Sequence, residues 1–150
     1  MIAEYVGRAL PPSRPYLVGR EKVREFALAV GEGASVCTDL DAARAAGHPD
    51  LVAPPTFAAV FIIPMMEVFL RTPAVGWDYR RMVHGEQSFT MHRPLYAGDE
   101  LITTLHVDDL RTRASSLFLT LRFEVADATT GAPVLTAQAL FVTAAPEGAS

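Results

Sequence analysis

The chain has 150 residues, of which half are hydrophobic and a fifth are charged, and its formal net charge is −4. This length and apolar content fit one domain with a single buried core and exclude a disordered chain. The acidic balance argues against nucleic-acid binding, which needs a basic surface, and the single cysteine, Cys37, excludes an internal disulfide.

The first half of the sequence predicts an extended arm followed by two helices. Prolines at positions 11, 12 and 15 indicate an extended arm over the first fifteen residues. Apolar residues recur at i, i+3, i+4 and i+7 over residues 23–30, which predicts a helix that Gly31 ends. A second short helix is expected up to Ala46, with Thr38 or Asp39 as its N-cap.

The segment from Thr56 to about Arg71 is apolar at nearly every position, which predicts a long central helix buried on every side. Pro55 fits its first turn, and Pro64 predicts a kink. The apolar run near residues 57–70 contains Glu67 and is too short to span a bilayer. Because the N-terminus also lacks the features of a signal peptide, we expect a cytoplasmic protein with no membrane contact.

The second half of the sequence changes to the two-residue period of strands. The pattern is extended from Arg80 to His92, and apolar residues then alternate with polar ones over residues 101–108, 116–125 and 135–141. Turn-forming residues separate these stretches. Consecutive strands with short turns predict an antiparallel sheet with one polar face.

Together these elements predict an α+β fold. A helix that is apolar on all sides must bury its surface against other elements. A sheet with one apolar face can bury it by wrapping around the helix, as in the hot-dog fold. We predict a single domain over residues 1–150, with a short extended N-terminal arm and a disordered C-terminal tail.

Four ordered segments resemble those of one known family, and they are Gly19–Phe26, Gly47–Phe57, Val83–Gln87 and Arg93–Asp99. They read GREKVREF, GHPDLVAPPTF, VHGEQ and RPLYAGD. Over about residues 5–144 the chain resembles the N-terminal MaoC-like dehydratase family, which includes the A and C subunits of the mycobacterial (3R)-hydroxyacyl-ACP dehydratase. The resemblance implies a hot-dog fold and dimers that join two sheets edge to edge. It also implies an acyl thioester, carried on coenzyme A or an acyl carrier protein, near the dimer interface, and no cofactor.

Catalytic members of the wider hydratase group carry a Gly-Asp-x-Asn-Pro-x-His loop after the first helix, and its aspartate and histidine move protons. The corresponding stretch here, Gly31 to Cys37, reads Gly-Glu-Gly-Ala-Ser-Val-Cys. Glu32 takes the aspartate position and Cys37 the histidine position, where a thiol cannot replace imidazole at neutral pH. Pro54-Pro55 stands where catalytic relatives have His-Gly, and Pro55 has no amide N–H to offer an oxyanion.

These departures indicate that this protomer carries no catalytic residue. By the resemblance, it is the substrate-accommodating subunit that pairs with a catalytic MaoC-like partner in fatty-acid, mycolate-like or polyketide metabolism of an actinobacterium. A homodimer and a rewired site using Glu32 and Cys37 stay open. The other hypotheses are an acyl thioesterase that uses Glu67 and a self-pairing acyl-binding or scaffold protein without chemistry.

The start of the central helix supplies candidates for lining an acyl channel. Pro55 and Thr56 lie at its entrance, and Phe57, Phe61 and Met65 recur on one helical face. Ordinary core packing is the alternative for these three apolar side chains.

The strand start at His84, Gly85 and Gln87 is a further candidate for binding the acyl carrier. Gly85 would let a pantetheine arm or another backbone approach closely, and a structural role at the dimer seam is the alternative. The pair Arg80–Arg81 suits a phosphopantetheine phosphate or an acidic carrier protein near the pocket mouth, or is a solvated surface pair.

Two remaining features concern a carboxylate and the histidines. Glu67 is the lone charge in the central helix, where many hot-dog thioesterases use a carboxylate; a solvated helix end or a salt bridge is the alternative. The four histidines lie at no spacing typical of zinc ligands, so we expect no metal.

Overall fold

The computed structural model describes residues 1–145 and arranges them as three helices and five strands. The helices are α1 (Arg20–Ala29), α2 (Leu40–Ala45) and α3 (Ala59–Arg71). The strands are β1 (Tyr16–Leu17), β2 (Val83–Met91), β3 (Glu100–Arg113), β4 (Ser116–Asp127) and β5 (Pro133–Ala144). Short 3-10 turns lie at Ile2–Tyr5, Ser35–Cys37, Pro55–Ala58 and Tyr79–Arg81. The C-terminal tail that the sequence predicts to be disordered begins outside the described residues.

The strands form one antiparallel sheet in the order β1-β3-β4-β5-β2. The consecutive pairing of β3, β4 and β5 agrees with the alternating sequence pattern. β2 differs from a simple meander, because it pairs with β5 at the far edge and not with β3, the next strand in the chain. Within residues 1–145, the other edge of β2 has no neighbouring strand.

One face of the sheet packs on α3. Alternate residues of the three long strands are almost fully buried, and they are Leu101, Thr103, Leu105, Val107, Leu119, Leu121, Phe123, Val125, Leu135, Ala137, Ala139 and Phe141. The apolar members of this set belong to one cluster with Ile62, Met66, Phe69 and Leu70 of α3. Burying each large apolar side chain contributes about 1.5–3 kcal/mol. The predicted α+β hot-dog fold is therefore confirmed.

The expectation that the central helix is buried on every side is wrong. Val68 is 72 % exposed and Ile63 is 40 % exposed on α3. A single sheet covers only one side of a helix, so the opposite side of α3 faces outward in this chain. The first turn, Pro55–Ala58, is a 3-10 turn, and the α-helix then continues through Pro64 to Arg71. No helix within residues 1–145 is both long enough and apolar enough to cross a membrane.

The N-terminal arm runs beside β3, as an extended segment. The backbone amides of Gly7, Leu10 and Ser13 donate to carbonyls of Val107, Leu105 and Thr103 at 2.8–2.9 Å. The arm therefore covers the edge of β3 that β1 leaves open. The first residues depart from the prediction, since Ile2–Tyr5 forms a 3-10 turn.

The predicted helix ends agree with the structure. Gly31 follows α1 with φ of 72°, a left-handed conformation that glycine adopts without strain. Of the two proposed N-caps of α2, Asp39 is the one used, because its Oδ1 accepts hydrogen bonds from the amides of Asp41 and Ala42 at 2.8 and 3.2 Å.

Candidate functional site

An open cleft of about 430 Å³ lies where the α1–α2 loop, the entrance to α3 and the end of β2 meet. Its lining residues are Glu32, Ala34, Cys37, Val52, Ala53, Pro54, Pro55, Met91, His92, Arg93, Pro94 and Leu95. The fold therefore brings together the two positions that correspond to the catalytic pair, Glu32 and Cys37, and the two prolines at the helix entrance.

Backbone hydrogen bonds hold the walls of the cleft in register. The amide of Val52 donates to the carbonyl of Val36 at 3.0 Å, which fastens the loop after α1 to the segment before α3. The amide of Ala53 donates to the carbonyl of Leu95 at 2.8 Å and joins that segment to the third wall, which residues 91–95 form. The cleft is thus built from segments that are distant in the sequence.

The Cys37 thiol has unsuitable chemistry for proton transfer at neutral pH. The residue is only 4 % exposed. Burial raises the pKa of the Cys37 thiol, and the nearby Glu32 carboxylate raises this pKa further. The thiol therefore stays protonated, and as a neutral group it is a poor base and a weak hydrogen-bond donor.

The Glu32 side chain is half-buried and turns back on its own loop. Its Oε1 accepts a hydrogen bond from the amide of Ala34 at 2.9 Å. The same loop is closed by the amide of Glu32, which donates to the carbonyl of Ala27 at 2.8 Å. One oxygen of this carboxylate is therefore engaged in holding the loop.

The helix entrance offers few amide donors. Pro54 and Pro55 have no N–H, and the amide of Phe57 donates to the carbonyl of Pro54 at 2.9 Å. Thr56 is the first residue of this turn that carries an amide hydrogen. The donor that would stabilise negative charge on a thioester oxygen at position 55 is missing.

The third wall of the cleft is held by an ion-pair cluster. The guanidinium of Arg93 donates to the two carboxylate oxygens of Asp99 at 2.7 and 3.1 Å, and it lies 3.6 Å from the Asp127 carboxylate. Asp99 also accepts a hydrogen bond from the amide of Tyr96 at 2.9 Å. These contacts explain the Arg93–Asp99 segment as a clamp that shapes the wall.

A second clamp joins α1 to the segment before α3. Arg20 donates to Asp50 through two nitrogens at 2.9 and 2.7 Å. The Arg20 guanidinium is the main reason that the pKa of the Asp50 carboxyl is lowered to about 2. His48 lies beside it, with Nδ1 3.3 Å from the hydroxyl of Tyr96. Three of the four segments that carry the family resemblance thus hold one another in place.

The proposed acyl-channel residues fall in different places. Pro55 lines the cleft, and Thr56 is exposed beside it. Phe57 is fully buried, with its ring edge-to-face against Phe26 at 5.4 Å, and therefore belongs to the core. Phe61 and Met65 are half-buried and do not line this cleft. The centroids of the Phe61 and Tyr16 rings are 5.0 Å apart, and Phe61 borders a second cavity of about 290 Å³ beside the N-terminal arm.

The strand-start residues lie along the unpaired edge of β2. The exposed His84 ring is 4.6 Å from the Phe141 ring, and a β-bulge follows at Gly85. The side-chain amide of Gln87 donates to the carbonyl of Gln138 at 3.0 Å. None of the three lines the cleft, so their contact with an acyl carrier stays a prediction.

Glu67 does not lie in a buried site. Its side chain is 39 % exposed, and its carboxylate accepts a hydrogen bond from Arg71 at 2.7 Å. The Arg71 guanidinium lies 4.1 Å from the ring centre of Tyr79. The alternative interpretation, a salt bridge near the end of the helix, agrees with the structure. Among residues 1–145, Glu67 is not part of the cleft lining, and its side-chain hydrogen bond goes to Arg71.

The Arg80–Arg81 pair is placed differently from the expectation. It forms an exposed 3-10 turn directly before β2, whereas the cleft adjoins Met91 at the other end of that strand. Nine strand residues separate the two by roughly 25–30 Å. Within one protomer, therefore, the pair does not lie at the mouth of the cleft.

Sequence reasoning did not identify the β2 end of the cleft. Met91, His92 and Arg93 line it because β2 lies at the edge of the sheet, which only the strand order reveals. The His92 Nε2 is 3.0 Å from the hydroxyl of Thr136. The one signal in the sequence is the Arg93–Asp99 segment, which carries part of the family resemblance.

Comparison with known proteins gives consistent matches over nearly the whole chain. A family model described as "FAS1-like, dehydratase domain region" matches residues 4–137. The UPF0336 protein of Saccharopolyspora erythraea is 46 % identical over 138 residues, which are 92 % of this chain and 88 % of that protein. The UPF0336 protein of Clavibacter michiganensis is 50 % identical over 139 residues, which are 93 % of each chain.

Two solved structures are similar in both sequence and fold. A chain of the HadBC (3R)-hydroxyacyl-ACP dehydratase complex from Mycobacterium tuberculosis has a TM-score of 0.84 and 26 % identity, covering 95 % of this chain and 99 % of that chain. A MaoC-like dehydratase has a TM-score of 0.86 and 31 % identity, covering 97 % of this chain and 44 % of the other. The ChsH1–ChsH2 complex from Mycobacterium tuberculosis, at 21 % identity and a TM-score of 0.66, shares the fold.

Proposed function

Because this chain belongs to the FAS1-like dehydratase domain family, we propose that it is the non-catalytic, substrate-accommodating subunit of a (3R)-hydroxyacyl thioester dehydratase or enoyl hydratase. The observation that carries this proposal is the state of the cleft. A cleft is present at the positions that correspond to the family's active site. However, the histidine position holds the buried, protonated thiol of Cys37, and the helix entrance holds Pro54 and Pro55.

Dehydration needs groups that the family's positions in this cleft, 37 and 55, do not provide. A base must remove the proton next to the thioester carbonyl, and an acid must protonate the departing hydroxyl. Amide donors must also stabilise the enolate-like oxygen, and losing one such donor costs about 2.7–4 kcal/mol of transition-state stabilisation, or roughly 10²–10³ in rate. The missing imidazole at position 37 and the missing amide at Pro55 therefore argue independently against catalysis by the family's mechanism in this cleft.

A second hot-dog chain would supply the missing groups. The nine-residue β2 strand has an unpaired edge within the described residues, and exposed strand edges favour pairing with another chain. Val83 at the start of this edge is 60 % exposed. Two similar structures, HadBC and ChsH1–ChsH2, are complexes of two subunits. We therefore propose a catalytic MaoC-like partner that pairs along β2, with a homodimer as the alternative.

The proposed substrate is an acyl thioester on coenzyme A or an acyl carrier protein, in fatty-acid, mycolate-like or polyketide metabolism. The acyl chain would contact Pro55 and Thr56 at the cleft and His84, Gly85 and Gln87 along the shared edge. No cofactor is needed for this chemistry besides the carrier of the acyl group.

The test is hydration of crotonyl-coenzyme A, followed by the loss of enoyl-thioester absorbance. The purified chain alone should give no turnover above buffer, and the same chain mixed with a partner that carries the Asp-x-Asn-Pro-x-His loop should give turnover. Rapid hydration by the pure chain would overturn the proposal. Release of free coenzyme A that Glu67→Ala abolishes would establish the thioesterase alternative instead, and inertness with every such partner would favour a scaffold.

A further inference from the structure

A second cavity of about 290 Å³ lies between α3 and the N-terminal arm, on the side of α3 where Phe61 meets Tyr16. Its lining residues are Ser13, Arg14, Pro15, Tyr16, Val60, Phe61, Pro64 and Thr103. It shares no lining residue with the cleft that contains Cys37. This space, called the arm cavity below, is therefore a separate site, and the function proposed above gives it no role.

The α3 side of the arm cavity is apolar. Val60 and Pro64 lie one helical turn apart on α3, with Phe61 beside them. The Phe61 and Tyr16 rings, whose centroids are 5.0 Å apart, lie where this wall meets the arm. Val60 and Phe61 are half-buried and Pro64 is exposed, so an apolar chain laid on them would remove their open surface from water.

The β3 side of the arm cavity holds a buried hydroxyl without a partner. Thr103 is only 3 % exposed, and within residues 1–145 its hydroxyl forms no hydrogen bond. The hydroxyl of Ser13 is already used, because it accepts from the Thr103 amide at 3.0 Å and donates to the Arg14 carbonyl at 2.9 Å. Thr143, which is similarly buried, donates to the carbonyl of Asp78 at 3.3 Å. A buried hydroxyl left unpaired is unfavourable, so the Thr103 hydroxyl is a site for a ligand atom.

The charges around the arm cavity favour an anion. Its lining includes Arg14 and no acidic residue, and within residues 1–145 the Arg14 guanidinium forms no hydrogen bond. Burial raises the pKa of the Tyr16 phenol, and the charge of Lys22, which pairs with Glu25 at 3.0 Å, opposes this rise. The phenol therefore stays protonated as a hydrogen-bond donor. A negative group in the cavity would meet a guanidinium and hydroxyl donors together.

We propose that the arm cavity binds a free monocarboxylic acid with an unbranched apolar tail. The carboxylate accepts hydrogen bonds from Arg14 and the Thr103 hydroxyl, and the tail lies on the apolar wall of α3. The volume is that of roughly ten water-sized groups, which is about the number of non-hydrogen atoms in octanoate. Because a thioester carries no charge at its acyl carbon, this site selects free acids over acyl thioesters.

The test is calorimetric titration of sodium octanoate into the full chain at low salt. We expect saturable one-to-one binding with a Kd of roughly 1 mM or lower, and at least about tenfold weaker binding of octanol, which lacks the charge, and of acetate, which lacks the tail. Thr103→Val should weaken octanoate binding about tenfold, and Arg14→Gln at least about threefold. Thr104→Val, at the next position of β3, and Arg8→Gln, elsewhere on the arm, are the matched controls and should leave Kd unchanged.

Thermal stability without ligand provides a second measurement. Thr103→Val should leave the urea midpoint of unfolding unchanged or raise it, because valine has a similar shape and removes an unpaired buried hydroxyl. A lowered midpoint would show that this hydroxyl already has a partner and would contradict the site.

The proposal is overturned by the absence of saturable octanoate binding up to about 5 mM, or by binding that Thr103→Val and Arg14→Gln leave unchanged. Equal weakening by the two control variants would also overturn it. Because the measured quantity is binding to this chain alone, failure of the proposed dehydratase function leaves the result intact, and the two hypotheses are tested separately.

Discussion

At the scale of single residues, the cleft shows how surroundings change the chemistry of a side chain. Cys37 combines burial with a neighbouring carboxylate, and both disfavour its thiolate. Asp50 shows the opposite effect, because a bidentate arginine favours its ionised form. Neither effect follows from the identity of the residue alone.

The raised pKa of the Cys37 thiol predicts slow alkylation. In the native protein at pH 7, iodoacetamide should modify Cys37 at least about tenfold more slowly than in urea, because only the thiolate reacts. The midpoint of the rate against pH should lie above that of the unfolded chain. Mass spectrometry of quenched samples measures both. A native midpoint at or below the unfolded one would contradict the assignment.

Replacing the dyad residues alone should not create an enzyme. We expect Glu32→Asp/Cys37→His to hydrate crotonyl-coenzyme A no faster than buffer, because the amide donor is still missing at Pro55. Adding Pro55→Gly should raise the rate by about 10²–10³ over the double variant. Circular dichroism of each variant controls for folding, and activity in the double variant would show that no amide at position 55 is needed.

The Arg20–Asp50 clamp should stabilise the fold in a pH-dependent manner. The Asp50 pKa falls from 3.8 to about 2 on folding, so its contribution is complete above about pH 5 and is lost as pH falls through 3.8 towards 2. At pH 7, Asp50→Asn should lower the free energy of unfolding by about 1 kcal/mol. Urea titrations of both proteins between pH 2 and 7 should show this difference shrinking below pH 4, and a constant difference would argue against the clamp.

At the scale of secondary-structure elements, β2 has two roles. Its C-terminal end borders the cleft at Met91, and its other edge, which has no neighbouring strand within residues 1–145, is the surface that we propose to pair with a second chain. The 3-10 turn at Pro55–Ala58 also affects which side chains face the core, because it changes their angular position around the helix axis before α3 begins. Phe57 therefore enters the core, while Phe61 faces the N-terminal arm.

Charges placed on the β2 edge should prevent pairing, since lysines are a common protection of edge strands. Ser88→Lys/Thr90→Lys should weaken self-association or association with the catalytic partner at least about tenfold. Thr104→Lys, on β3 opposite Glu124, is the control and should leave association unchanged. Sedimentation velocity measures the outcome, and full association of the double variant would place the interface elsewhere.

At the scale of the whole molecule, one apolar cluster joins Ile2 of the arm, α3 and the inward-facing residues of β3, β4 and β5 into a single core. Phe57 lies within it at 0 % exposure, although it was proposed as a channel residue. Because Phe57 is fully buried within the protomer, it contributes strongly to the stability of the fold whether or not the chain pairs with another.

A core position predicts a large loss on truncation. Phe57→Ala should lower the free energy of unfolding by about 3–5 kcal/mol, because it removes apolar contacts and leaves a cavity. Thr56→Ala, at the exposed neighbour, should change it by less than about 0.5 kcal/mol. Urea denaturation of the isolated chain checks both values, and a loss below about 1 kcal/mol for Phe57→Ala would place this ring outside the core.

The sequence by itself determined features that depend on neighbouring residues. Alternation over residues 101–108 and 116–125 specifies strands with one buried face, Asp39 and Gly31 define helix ends, and the missing N–H of Pro55 is a covalent property. The family resemblance followed from such short segments as well. These features do not depend on how the rest of the chain is arranged, because each arises from residues that are close together in the sequence.

Only the tertiary structure decided which distant groups meet. It placed β2 beside β5, exposed one side of α3, gathered Glu32, Cys37 and Pro55 into one cleft with Met91, and separated Arg80–Arg81 from that cleft by the length of a strand. The reason is that strand order and helix rotation are set by how the entire apolar surface is buried at once. That is a property of the whole chain, and no local pattern contains it.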